Sequence, residues 1–180
     1  MAENKYGVVE TSKISASYMG GGHIFSVVDS TNALENGTIV TLGDPIGTYG
    51  NEEYGVKTPT KSDEVVLIAD VPLIYDQTTT VGQAEYNYVN EAGKSTRAYT
   101  LKPRDMYAVA DYLITPVSTK VAAKNLVVFK DRKYQELAAA TDTSEYGFVA
   151  VIRYTYVRSG VTMVMLEVLK NETVVAQKSE

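Results

Sequence analysis

Residues 90–106 carry the pattern in this chain that comes closest to a site for chemistry. Gly93-Lys94-Ser95-Thr96 ends like a phosphate-binding P-loop, in which a glycine-rich arc turns backbone N–H groups onto phosphates. That motif needs a second glycine five residues earlier, where the chain has Tyr88. It also needs a helix starting at the lysine, whereas residues 97–103 read as a strand that ends at a proline. We therefore interpret Asn90–Lys94 as the loop of a β-hairpin and expect no nucleotide site.

Residues for other kinds of catalysis are sparse. The chain has no cysteine and one histidine, His23, which follows three glycines and precedes a strand pattern. Thiol nucleophiles, thiolate zinc sites and disulfides are thereby excluded, and any histidine-dependent mechanism would have to use His23. The acidic residues are spread singly, so no pair is marked as a general acid and base. We expect no enzyme activity, no cofactor and no metal site.

Charge and hydropathy narrow the classes of partner. The net charge of the 180-residue chain is −5, and its densest basic run, Lys130-Asp131-Arg132-Lys133, is interrupted by an acid. Nucleic-acid binding through neutralised phosphates is therefore disfavoured. No apolar stretch reaches the length of a membrane span, and the first residues lack the apolar region of a signal peptide. We expect no membrane association, and we expect the protein to be made in a cytoplasm.

Alternating hydrophobicity predicts strands along most of the chain. Two hairpins stand out: Leu126–Phe129 with Tyr134–Leu137 around loop 130–133, and Phe148–Val157 with Val161–Leu169 around the three-residue loop Arg158-Ser159-Gly160. The second hairpin has apolar residues on both faces, so we expect it to be covered on both sides. The fold class is therefore mainly β, an antiparallel sandwich or barrel-like body with at most one or two short helices and extended terminal arms.

Shorter patterns complete the predicted elements. Strands are indicated at Ile24–Val28, after the Asn36-Gly37 turn, at Glu64–Ala69, and at an edge position over Val71–Tyr75. Residues 103–113 fit either a short helix or a strand over Asp105–Val109, and the sequence leaves both open.

Both ends of the chain are interpreted as arms. Residues 1–19 are polar with scattered apolar side chains, and Gly20-Gly21-Gly22 then resembles a hinge. We divide the rest into a β-rich body at 20–115, a hairpin-rich extension or subdomain at 116–169, and a tail at 170–180. The arm lacks an evident core partner, so its anchors are predicted to bind another protein. These tentative partner-binding residues are Tyr6, Val9, Ile14 and Tyr18.

Tyrosine dominates the aromatic residues. The chain has 14 Tyr against 3 Phe and no Trp. A tyrosine buries a ring while its hydroxyl reaches water or a partner, which suits protein–protein surfaces and equally suits half-buried sheets.

The order of these features resembles the capsid decoration, or cement, proteins of tailed bacteriophages. The resemblance is carried by Leu34–Asp44, Glu64–Ala69, Leu73–Asp76, and Val89–Lys94 with Arg97-Ala98-Tyr99, within positions 20–112. It implies a structural virion protein that is made in the host cytoplasm and binds the outside of an expanded capsid. Its partner would be the major capsid protein, whose neighbouring subunits it would hold together as a homo-oligomer, without nucleic acid or membrane. The alternatives are another phage structural protein, of tail, neck or fibre base, and a carbohydrate-binding β-sandwich module.

Overall fold

The computed structural model describes residues 5–18, 22–46, 53–72, 78 and 84–174. Apart from three single 3-10 turns, the elements in these ranges are β-strands, which confirms the predicted fold class. No helix in the described ranges is long and apolar enough to cross a membrane. The strands are β1 (Val9–Lys13), β2 (Ile24–Val28), β3 (Ile39–Ile46), β4 (Glu53–Lys57), β5 (Val66–Ile68), β6 (Thr96–Thr100), β7 (Met106–Ala110), β8 (Ile114–Thr115), β9 (Leu126–Lys130), β10 (Lys133–Leu137), β11 (Phe148–Arg158) and β12 (Val161–Asn171). The 3-10 turns are Ser15–Ser17, Glu85–Asn87 and Asp111–Leu113.

A seven-stranded sheet has the order β1-β7-β12-β11-β9-β10-β8, antiparallel except for the β10–β8 pair. Its centre is the β11–β12 hairpin, which confirms the strongest hairpin predicted from sequence. The predicted three-residue loop is wrong, because Arg158 pairs with Val161 and only Ser159 (φ 48°) and Gly160 (φ 77°) lie between the strands. Two consecutive positive φ angles make a primed two-residue turn, whose twist matches that of the flanking strands.

The β9–β10 hairpin is also confirmed and is likewise tighter than predicted. Lys130 pairs with Lys133, so Asp131 (φ 58°) and Arg132 make the turn alone. Arg132 reaches away from its own sheet and places Nη1 2.7 Å from Oδ2 of Asp29.

Five strands close into a small barrel of order β2-β4-β3-β5-β6. Alternate residues point inward, as period-two strands require. The interior is filled by small and medium aliphatic side chains: Val27, Leu34, Val40, Val66, Ile68 and Ala98. The predicted Asn36-Gly37 turn precedes β3, with Gly37 at φ 83°.

One core joins the barrel to the sheet. Ile39, Val65 and Leu67 come from the barrel side of this core, and Ile152 and Leu166 come from the sheet. The sheet draws strands from residues 1–19, 20–115 and 116–169. The boundaries predicted at residues 19 and 115 therefore do not separate one sheet from another.

The expectation of an N-terminal arm without a core partner is wrong for residues 5–18. β1 pairs antiparallel with β7, and Ile14 is 0% exposed in the main core. Asp105 holds the following turn by accepting hydrogen bonds from the backbone N–H and the hydroxyl of Ser15. The apolar residues of this segment are few, but they suffice for an edge strand because β7 supplies the rest of the apolar surface around them.

Several smaller predictions are also corrected. Asn90–Lys94 does not connect a hairpin, since residues 85–87 form a 3-10 turn and β6 pairs with β2 and β5 instead. The strand alternative is right for residues 106–110, and the helix alternative is wrong. The tail begins later than residue 170, because β12 runs to Asn171, whose side chain bonds the main chain of Val65. The predicted strand at 71–75 lies largely outside the described residues.

Candidate interaction surface

The tip of the β11–β12 hairpin extends beyond its neighbour β9. β9 pairs with β11 only at Ala150 and Val151, and Ile152 makes the last main-chain bonds, to Lys124 N–H (2.7 Å) and the Asn125 carbonyl (3.0 Å). From Arg153 onward, β11 therefore pairs with β12 alone among the described residues. A register shift between Ile152 and Tyr154 marks the point where this change occurs.

The hairpin is buried on both faces near its middle, as its apolar pattern predicted. Ile152 and Val164 are 0% exposed in the core shared with the barrel. On the opposite face, Met163 and Met165 pack with Ala108 and Val8 in a second apolar cluster. The sheet thus has an apolar layer on each side.

Tyrosines border the second cluster and form what we call the tyrosine face. Its members are Tyr6, Tyr86, Tyr112, Tyr154 and Tyr156. Tyr86 and Tyr156 pack directly against the cluster, and the rings of Tyr154 and Tyr156 lie 6.0 Å apart. Tyr6 donates its N–H to the Tyr86 carbonyl (2.8 Å), and Tyr112 donates its hydroxyl to the Tyr6 carbonyl (2.6 Å). These bonds fix the Tyr112 hydroxyl and the backbone of Tyr6 relative to Tyr86.

A polar network ties the hairpin tip to β1 and to the 85–87 turn. The Tyr156 hydroxyl donates to Glu10 Oε2 (2.6 Å), and Arg158 Nη2 lies 2.9 Å from Glu85 Oε1. The hydrogen bond from Tyr156 lowers the pKa of Glu10, while burial and Glu10 itself raise the pKa of Tyr156. Burial, with the nearby Glu35 carboxylate, raises the pKa of Tyr112 to about 12. These hydroxyls therefore stay protonated near neutral pH and act as donors.

The four residues predicted to bind a partner lie in different environments. Tyr6 (36% exposed) belongs to the tyrosine face, and Tyr18 (62% exposed) projects elsewhere while donating its hydroxyl to the Ser12 carbonyl. Val9 is half-buried beside β7, and Ile14 is 0% exposed. Ile14 therefore cannot contact a partner in this fold, and the other three stay predictions.

Tyr154 and Tyr156 are surface residues that sequence reasoning did not select. Both lie inside a strand whose apolar pattern drew attention to its buried part. The available signal was length, because the predicted strand at 148–157 is much longer than the predicted strand at 126–129, which the structure places beside it.

The open end of the barrel carries a second group of aromatic side chains. Phe25 and Tyr54 meet edge to face with ring centroids 5.3 Å apart, and the exposed His23 ring lies 6.0 Å from Phe25. Ser26 and Arg97 complete the lining of a shallow cleft there. His23 is thus a strand-edge residue, as predicted, and its main chain bonds Thr100.

The P-loop-like run has no P-loop geometry. Gly93 (φ 75°) turns the chain and donates its N–H to the Asp29 carbonyl, and a strand rather than a helix begins at Thr96. Across the described part of the chain, no group of three or more His, Asp or Glu residues could hold a metal ion.

Comparison with known proteins gives no relative for this chain. It matches no protein-family model, no curated protein and no solved structure.

Proposed function

We propose that this protein is a structural component of a tailed-phage virion and not an enzyme. It binds the outer surface of the expanded capsid and stabilises contacts between neighbouring major capsid protein subunits. The proposal combines the sequence resemblance with the tyrosine face, which is the observation that carries it.

The composition of the tyrosine face favours a protein partner. Tyrosine is enriched at protein–protein interfaces because it brings a large apolar ring and a hydroxyl at little cost in side-chain entropy. Tyr6, Tyr112 and Tyr154 are 36%, 37% and 45% exposed, so each keeps ring surface for a contact. Tyr86 and Tyr156, which lie beside them in the tyrosine face, pack against the second apolar cluster.

Rigidity also supports this mode of binding. Residues 5–18 are already folded into the sheet, so docking does not require the ordering of an arm at about 1–2 kcal/mol of backbone entropy per residue. A preorganised surface loses less freedom on association. Weak individual contacts repeated around a symmetric shell add up through multivalency.

Co-sedimentation with capsids tests the proposal. Capsids assembled from a tailed-phage major capsid protein are used in expanded and unexpanded forms. We expect the protein to pellet with expanded capsids only. The double variant Tyr6→Ser, Tyr112→Ser should lose most of its occupancy, while Val117→Ser, which alters an exposed apolar residue (60%) away from the face, should bind normally. Equal binding by both variants would rule out the tyrosine face, and binding to purified tails instead would favour a tail or neck component.

A carbohydrate-binding role is the second candidate, favoured by the aromatic cleft at the barrel end. Phe25 and Tyr54 offer apolar rings beside the polar groups of His23, Ser26 and Arg97, a combination that suits the faces and hydroxyls of a sugar. A glycan that raises the melting temperature of the wild type but not of Tyr54→Ala would support this role.

A further inference from the structure

The edge of β11 at residues 154–158 is unpaired among the described residues. This edge indicates an interaction in addition to capsid binding. On its outer side, main-chain pairing stops at Ile152, and no hydrogen bond from a described residue reaches Thr155 or Val157 there. Their side chains are exposed, Val157 at 71%. An exposed strand edge is a template for pairing with another strand, and natural proteins usually protect such edges.

Among the described residues, the other two edges of the same sheet are protected and this one is not. β8 is only two residues long, and β1 carries Glu10 and Lys13 with an irregular register between them. By contrast, Tyr154, Thr155, Tyr156 and Val157 form an uncharged run rich in β-branched and aromatic residues. Short strands, charges and irregularities are the usual protection of edges, so its absence at β11 points to a strand partner.

The hairpin turn determines which main-chain groups face outward. In a two-residue turn the flanking residues, Arg158 and Val161, form a hydrogen-bonded pair. Hydrogen-bonded pairs alternate along an antiparallel ladder, so Tyr156 and Tyr154 also direct their main-chain groups toward β12. The groups that face outward therefore belong to Thr155 and Val157.

We propose that a second copy of this chain pairs antiparallel with this edge about a two-fold axis at Tyr156. In this register Thr155 of each copy lies opposite Val157 of the other, and each such pair exchanges both main-chain hydrogen bonds. All the outward-facing groups of residues 155 and 157 are then satisfied. An axis at Thr155 would leave Val157 opposite Arg153, which lies at the register shift, and an axis between residues 155 and 156 would join outward-facing to inward-facing groups.

The side chains also fit this register. Thr155 and Val157 are both β-branched and meet on one face, while the two Tyr156 rings meet at the axis. Tyr154 lies opposite Arg158 of the other copy, which brings a guanidinium to an aromatic ring. No two like charges lie opposite each other. A different segment as occupant would have to match the same pattern, which a second copy provides by itself.

The interface involves five residues of each copy, so it is smaller than a standard interface of about 800 Å² per partner. We therefore expect a dimer that depends on concentration in solution and forms readily where copies are held close together. At about 1 mM, sedimentation equilibrium should detect the dimer in the wild type. Val157→Lys, which places a charge on the edge, should be monomeric, whereas Thr162→Lys, on the neighbouring strand of the same hairpin, should still dimerise.

Disulfide trapping tests the register directly, because the chain has no cysteine of its own. At a non-hydrogen-bonded pair the Cα atoms are about 4.5 Å apart, within the range of about 4.4–6.8 Å that a disulfide spans. Under mild oxidation Tyr156→Cys should therefore form dimers on the order of ten times faster than Val117→Cys, an exposed control outside the edge.

Three results would overturn the proposal. Crosslinking of Tyr156→Cys no faster than that of Val117→Cys would exclude an axis at this residue, and faster crosslinking of Thr155→Cys would move the axis to residue 155. A wild type that stays monomeric at the highest concentration would exclude the dimer itself. These measurements use the isolated chain, so their outcome is independent of capsid binding.

Discussion

Asp29 ties the barrel to the seven-stranded sheet through an ion pair. It follows β2 of the barrel, is 7% exposed, and pairs with Arg132 from the β9–β10 turn at 2.7 Å. Arg132 also accepts a main-chain hydrogen bond from Ile39 N–H of β3. Burial raises the pKa of Asp29, but hydrogen bonds from the N–H groups of Thr31 and Asn32 and from Arg132 outweigh it and hold the pKa well below its ordinary 3.8.

The depressed pKa of Asp29 makes part of the stability dependent on acid. Its contribution is present in full above the unfolded-state pKa of 3.8 and is lost as the pH falls through the lower folded-state value. Asp29→Asn should therefore be less stable than the wild type at pH 7, and the difference should shrink below pH about 4. Urea unfolding at several pH values measures this. A difference that stays constant down to pH about 2 would contradict the assignment.

Ile152 provides the test of packing at a single position. It is 0% exposed between the barrel and the sheet, so Ile152→Ala should lower the free energy of unfolding by about 2–5 kcal/mol. Val157→Ala, on the same strand but 71% exposed, should change it by less than about 0.5 kcal/mol. Chemical denaturation of both variants gives the comparison. A loss below about half a kcal/mol for Ile152→Ala would mean that the hairpin is not covered on its barrel side.

β1 is the element for which the structure differs most from the sequence-based prediction. The residues that flank this edge strand, Val8 and Ile14, belong to two different apolar clusters, at 4% and 0% exposure. Gly7 fits closely against the Asn36 turn, since a Cβ there would lie 2.0 Å from the Asn36 carbonyl oxygen. The segment is therefore part of the folded domain.

Deletion of residues 1–18 should destabilise the isolated protein. The loss of two buried aliphatic side chains, at about 1.5–3 kcal/mol each, is a large fraction of a typical domain stability of about 5–15 kcal/mol. We expect a clear fall in melting temperature, measured by calorimetry. Deletion of residues 1–4 alone, which leaves Val8 and Ile14 in the chain, serves as the control. A melting temperature unchanged by the longer deletion would restore the idea of an independent arm.

Local signals were enough to predict the hairpins but not the neighbours of every strand. Ser159-Gly160 and the alternating residues around it define β11 and β12 without reference to the rest of the chain. The sequence around residues 97–101 does not indicate that β6 pairs with β2 and β5 rather than with residues 85–89. The sequence around β1 likewise does not identify its partner strand, because β7 lies far from β1 in the sequence. Long-range pairing depends on which apolar faces remain uncovered after the local elements have formed.

The candidate surface was predictable only in part. Tyr6 was selected for its apolar character and does lie on the tyrosine face, whereas Ile14 was selected for the same reason and is buried. Composition signalled that tyrosine mattered, but the tyrosines in the described ranges divide between the core, as at Tyr107 and Tyr134, and the surface, as at Tyr154. Only the sheet topology separates these groups, because it decides which face of each strand stays open.

The molecule as a whole is a closed barrel and a wide sheet around a shared core, with a tyrosine face and a free strand edge near one end of the central hairpin. The proposed shell contact uses the tyrosine face and the proposed dimer uses the β11 edge, and these two surfaces share Tyr154 and Tyr156. Stabilisation of the capsid would then follow from mass action, since a ligand that binds only the assembled, expanded state shifts the equilibrium toward it.

Thermal disassembly of expanded capsids with and without the protein tests the central proposal most directly. We predict that saturating protein raises the disassembly temperature of expanded capsids and leaves that of unexpanded capsids unchanged. The Tyr6→Ser, Tyr112→Ser variant should give a much smaller increase than Val117→Ser. A disassembly temperature that is the same with and without the wild-type protein, at concentrations where the protein is folded and monodisperse, would contradict the role in capsid stabilisation.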